Sequence, residues 1–156
     1  MFIVEIKDEA VTAALIRASA ALENMEPLFI GIGEILREST LERFGIGTAP
    51  DGSKWKPKSQ TTLNKANPRK SNRVDVRPLF GPSGDLHTQI FFNAQADQVE
   101  VGSNRPYAAM MQLGGTKAQF SHLWGDIPAR PFLGISETDS DMIARQIGRY
   151  MSGALG

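Results

Sequence analysis

The stretch from Leu86 to Val101, LHTQIFFNAQADQVEV, alternates along two arms with a period of two, the repeat of a half-buried β-hairpin. Leu86, Thr88, Ile90 and Phe92 fall on one face, and His87, Gln89, Phe91 and Asn93 on the other. On the second arm Val99 and Val101 share a face. For these apolar groups to meet one core, Phe92 is expected opposite Val99 and Ile90 opposite Val101, leaving Ala94, Gln95, Ala96 and Asp97 as a four-residue loop. A two-residue loop centred on Gln95 and Ala96 has the same parity, but primed turns need positive φ, which neither residue tolerates well. A slip of one residue would put Val99 and Val101 in water, so the register is expected to be firmly set.

Helical spacing dominates before and after this hairpin. Phe2, Val4 and Ile6 alternate in a short β-like opening, and DEAVTAALIRASAALEN then reads as a helix with Asp8 as N-cap. Its apolar positions are Val11, Leu15, Ala18 and Leu22, with alanines that allow close approach of another helix or chain. Pro27 suits the first turn of a second helix running through Phe29, Ile32 and Leu36 toward Phe44, with Gly45 and Gly47 as its stop. The glycines of GIGEIL lack phosphate-loop spacing and read as helix packing. After the hairpin, Tyr107, Met110, Met111 and Leu113 suit a short helix ended by Gly114 and Gly115, with the methionines as core fill. ARPFLGIS reads as a strand, with Phe132 and Leu133 on opposite faces and Arg130 free to pair with an acid of the N-terminal helices. A last helix starts near Ser136 or Thr138, carries Met142, Ile143, Ile147, Tyr150 and Met151 on one face, and ends at Gly153. The fold expected is α+β: an antiparallel sheet built on the central hairpin, flanked by two N-terminal helices and one C-terminal helix. Its 156 residues make a single domain, 1–156, large enough to bury one core.

Two loops stand out. A basic extended loop, 48–78, opens with a turn at Pro50, Asp51 and Gly52 and is interrupted by Pro57, Pro68 and Pro78, leaving only SQTTLNKA for a helical turn or two. A loop of that length in a small domain is usually functional or mobile. Trp55 either pins it to the core or stacks on a base. An irregular loop, 115–128, carries Phe120, Leu123 and Trp124 and is expected to reach a neighbour. The formal net charge of zero conceals a division: residues 1–53 carry a net of minus five, 54–77 plus seven and 78–156 minus two. Such asymmetry suits a charged partner or another copy of the chain. The basic groups concerned are Lys54, Lys56, Lys58, Lys65, Arg69, Lys70, Arg73 and Arg77.

No cysteine is present, which excludes disulfides and thiolate chemistry, and synthesis in a cytoplasm is the default expectation. No run of 18 apolar residues occurs and the start lacks a signal-peptide pattern, so the chain reads as soluble and uncleaved. The two histidines, His87 and His122, lack metal-site spacing, and His87 is placed on the polar face of the hairpin as a surface residue. The best catalytic grouping is His122 with Asp126 and Ser121, but Gly125 and Pro128 oppose the helix that would bring them together. No enzyme activity, cofactor or metal is expected.

The ordered motifs resemble the phage virion morphogenesis family, which includes tail-completion proteins of contractile-tailed and Mu-like phages. The features are the helix ending in Phe44, PDGSKWKP (Pro50 to Pro57), Thr61 or Thr62 with Lys65, LFGPSGDLHTQI (Leu79 to Ile90), VEVGSNRPYAAMMQLGG (Val99 to Gly115) and IPARPFLGIS (Ile127 to Ser136). They span about residues 28–150. The family often has a histidine where this chain has Met111. The resemblance implies a virion protein at the head–tail junction, a ring, commonly six-fold, that stops tube growth and meets the neck. Partners implied are further copies of itself, the tail tube protein and neck or connector proteins, with contact to phage DNA possible and no membrane. The interface residues expected are Lys54, Trp55, Lys56, Lys58, Lys65, Arg69, Lys70, Arg73, Phe120, Trp124 and Arg130. A neck or adaptor protein is the alternative within the class, and a nucleic-acid-binding module using the basic 54–77 segment is the alternative outside it.

Overall fold

Pro27 lies in the first turn of a 21-residue helix, where its missing N–H would have had no partner, and Gly47, at φ 81°, ends it. This helix, α2 (Glu26–Ile46), is the support on which the other elements lie. The computed structural model of the protein describes residues 9–66, 74–81 and 83–156. The β-like opening, the Asp8 cap, Pro68, Arg69, Lys70 and Arg73 lie outside the described residues. In chain order the other elements are α1 (Glu9–Glu23), α3 (Gln60–Ala66), α4 (Asp85–Thr88), β1 (Ile90–Ala94), β2 (Val99–Ser103), α5 (Ala108–Leu113) and α6 (Glu137–Leu155). The hairpin packs on α2, α6 packs on α2, and α1 packs on α6. The fold is α+β, with the two-stranded antiparallel sheet flanked by the N-terminal and C-terminal helices.

Phe44, fully buried, is the centre of the core. Trp55, Phe80, His87 and Phe132 surround its ring at centroid distances of 5.7, 6.1, 5.6 and 5.4 Å, and Leu79, Leu86, Ile90, Ala49 and Ala108 complete the cluster. Gly33 is there for packing: a Cβ on it would lie 2.3 Å from the Phe92 ring, so its absence lets the hairpin rest directly on α2. Buried beneath α6, Arg43 donates to the Asp139 carboxylate and to the carbonyls of Phe132 (3.1 Å) and Gly134 (3.0 Å). Ser136 caps α6 reciprocally with Asp139, as the spacing predicts.

Several expectations are corrected. The strand does not begin at Leu86, because Gly84, at φ 66°, turns the chain into the single helical turn of α4. Leu86 is nevertheless buried. The hairpin keeps the expected faces but is shifted by two residues: Phe92 faces Val101, Ile90 faces Ser103 and Ala94 faces Val99. Gly102 and Ser103 prolong the second arm, and the N–H of Met25 grips the tip through the Ala96 carbonyl (3.0 Å). ARPFLGIS is not a strand. One backbone bond, from the Arg130 N–H to the Met111 carbonyl (2.8 Å), and side chains satisfy its backbone in place of a strand ladder: Gln112 Oε1 accepts from the N–H of Phe132 and Leu133 (2.9 and 3.0 Å), and Gln112 Nε2 donates to the Leu133 carbonyl (3.0 Å).

His87 is not a surface residue. Its ring lies half-buried, 4.9 Å from Phe80, and burial, helped by the charges of Arg77 and Arg37, holds its pKa below the usual imidazole value. On α1 the side chains of Val11, Leu15, Ile16 and Leu22 are 53, 63, 65 and 51% exposed, while the half-buried positions are Ala14, Ala18 and Ala21. The small residues accept close approach of α6, whose Tyr150 hydroxyl donates to the carbonyls of Ala21 and Asn24. On α6 itself Met142, Ile143, Tyr150 and Met151 are half-buried while Ile147 is exposed. That helix continues past Gly153 to Leu155, whose carbonyl accepts from Arg17 (3.1 Å).

Candidate subunit interface

The basic loop is built as an anchored arm. Asp51 holds the turn at Gly52 (φ 83°) by accepting from the Ser53 N–H and hydroxyl, and Thr48 and Lys54 form an isolated bridge beside it. Those bonds hold the Asp51 carboxyl below its usual pKa. Trp55 then enters the core at 6% exposure, edge-on to Phe44, and its Nε1–H donates to the Pro131 carbonyl (2.8 Å). The core reading of Trp55 therefore holds, and the ring is not available to stack on a base. Arg130, 7% exposed, donates to the carbonyls of Lys56 (2.7 Å) and Pro57 (2.9 Å) rather than to an acid of the N-terminal helices. Pairing with an acid falls to Arg43 instead. Burial lowers the pKa of Arg130, which is held by neutral carbonyls.

Lys58 is taken up in the same way. Its ammonium donates to the carbonyls of Asp75 (2.6 Å) and Phe80, joining the two ends of the arm, and its partial burial lowers its pKa. Near the return point Arg77 lies 3.5 Å over the Phe80 ring and bonds the Asp75 carboxylate, lowering that carboxyl to about 2. Of the expected interface residues on the described arm, Trp55 and Lys58 are anchors. Lys54, Lys56 and Lys65 are exposed. SQTTLNKA forms α3, as expected, and carries Lys65 outward.

The second loop is closed at its neck by paired backbone bonds between Gly115 and Ile127 (2.9 and 2.7 Å). Lys117 N–H donates to the Asp126 carboxylate (2.8 Å), and Thr116 and Gln119 tie the first bend. Asp126 thus braces the loop, while His122 lies exposed with its ring near Phe120. Phe120 is 40% exposed and Trp124 is 94% exposed. The Lys65 ammonium stands 4.6 Å from the Trp124 ring centroid, so the two loops meet in an exposed cation–aromatic pair. Gln112, Arg43 and Asp139, which hold the segment 132–136 that follows the second loop, carry no sequence signal for that role beyond the capping spacing of Asp139.

Among the described residues no group of three or more histidines, aspartates and glutamates is placed to hold a metal ion. No described helix is long and apolar enough to cross a membrane. No solved structure matches the chain. Over 151 residues it is 28% identical to the "Mu-like prophage FluMu G protein 2" of Haemophilus influenzae, with 96% of each chain covered. Over 121 residues it is 31% identical to the "Putative capsid assembly protein G" of Escherichia phage Mu, covering 77% of this chain and 75% of the relative. Residues 6–152 match the phage virion morphogenesis family. The match runs across nearly the whole chain, and this protein is a member of the phage virion morphogenesis family.

Proposed function

We propose that the protein completes the phage tail at its head-proximal end, as a ring of identical copies that caps the tail tube and offers a surface to the neck. The observation that carries this reading is the pair of braced loops. Buried Trp55 and Arg130 anchor the first loop, and the Gly115–Ile127 pair with Asp126 braces the second, yet Trp124, Lys54, Lys56 and Lys65 project from them with no task in the core. Large exposed aromatic groups on fixed supports are what a protein–protein contact uses, because little backbone freedom is lost on docking, and basic groups around them steer an acidic partner into register. The location follows as the virion's head–tail junction.

A second reading is capsid assembly, favoured by the name of the phage Mu relative. The nucleic-acid reading loses its stacking ring, since Trp55 is in the core. Deleting the gene from its phage separates the first two. Tail completion predicts a lysate of full heads and unjoined tails that becomes infectious when the purified protein is added. Absent or malformed heads in that lysate would favour capsid assembly and contradict tail completion.

A further inference from the structure

Between α2 and the first turn of α6 lies a groove of about 1040 Å³. Its lining includes the apolar Ile35, Leu41, Ile46 and Met142. Among the described residues six acidic groups line it against a single base, Arg43, which is already committed to Asp139. Three of the acids, Glu34, Glu38 and Glu42, form a stripe at four-residue spacing on the exposed side of α2, and Asp51 and Glu137 add to it. Glu38 also meets Arg37 in an exposed pair of the weak surface kind.

The chain carries a feature of opposite chemistry elsewhere. Trp124, 94% exposed, and Lys65, whose ammonium lies against its ring, form a knob with an apolar body and a positive charge. Lys54 and Lys56 are exposed on the arm that leads to it. Neither knob residue lines the groove, so both features are presented by one chain at the same time.

We propose that the Trp124–Lys65 knob of one copy seats in the α2–α6 groove of the next. The contact is head-to-tail, since each chain uses one surface to give and another to receive, and such contacts generate rings when the rotation closes. This deepens the ring reading and rests on it. The occupant is a second copy because the apolar and acidic lining of the groove complements the aromatic and basic knob. A tryptophan buries 150–250 Å² when enclosed, which makes it the expected energetic centre of the contact.

The test uses two variants of the full chain, each altered only at exposed positions so that folding persists. The knob variant is Trp124→Ala with Lys65→Glu, and the groove variant is Glu38→Lys with Glu42→Lys. Measured by light scattering, each alone is expected to self-associate at least about 30-fold more weakly than the parent. Mixed one to one, they are expected to form a heterodimer and nothing larger, because the intact knob of one meets the intact groove of the other. Parent-like assembly by either variant alone would overturn the knob-and-groove contact while leaving the ring reading standing. A mixture that stays monomeric while the parent assembles would do the same. A parent that never assembles would contradict both.

Discussion

Asp139 links three parts of the molecule from one buried position. It accepts from the Ser136 N–H (2.8 Å) to start α6 and pairs with Arg43 on α2, and through Arg43 it secures the carbonyls of Phe132 and Gly134. Removing one member of a buried pair leaves the other charge without compensation, so Asp139→Ala is expected to cost about 3–5 kcal/mol, read from a urea unfolding midpoint. Burial opposes ionisation of Asp139, but hydrogen bonds from Ser39 and Ser136 and the Arg43 charge outweigh it, and the carboxyl titrates below its usual range. The folded state therefore holds this proton more weakly than the unfolded chain. The stabilisation is full above about pH 4 and is lost as pH falls below that value. Between pH 5 and 3 the unfolding midpoint of the parent should fall more steeply than that of Asp139→Asn; equal slopes would contradict the assignment. Gln112→Ala leaves the N–H groups of Phe132 and Leu133 without their acceptor. A loss of about 2–4 kcal/mol is expected by the same measurement, since each unsatisfied buried group costs about 1–3 kcal/mol.

At the scale of elements, Gly33 decides how closely the hairpin approaches α2. Gly33→Ala sets a methyl group against the Phe92 ring, and overpacking of this kind costs about 1–3 kcal/mol, measurable as a lowered thermal midpoint. The helices were legible because their signals are local: Pro27 at the start of α2, Gly47 at its end, Ser136 and Asp139 at the start of α6. The faces of the hairpin were legible for the same reason, but its register was not. Parity is a property of each arm, whereas the choice between two registers of equal parity rests on Met25, a residue far from the hairpin in sequence, and on pairing by Gly102 and Ser103. ARPFLG alternates as a strand does, while the partners of its backbone are mostly side chains, among them Gln112 and, on a distant helix, Arg43. For the interface, the sequence distinguished basic from acidic segments but not exposed lysines from anchoring ones. That distinction depends on the Lys58 contacts with Asp75 and Phe80, which form only in the folded chain.

At the scale of the whole molecule, the charge division of the sequence becomes a spatial one. Acidic groups line the α2–α6 groove, and basic groups project from the arm and from α3. Trp124 contributes to neither the core nor the capping of any described element, so Trp124→Ala should leave folding stability within about 0.5 kcal/mol of the parent. A larger loss in chemical denaturation would mean that the residue supports the fold. Contacts of this mixed apolar and charged kind weaken with salt, as screening shortens the reach of the exposed charges. The most direct measurement is therefore the solution mass by light scattering over a range of concentrations, at low and at high salt. The expected result is a discrete ring-sized species, near six times the 17.0 kDa chain mass, that loosens as salt rises. A 17.0 kDa monomer at every concentration and salt level would contradict the ring.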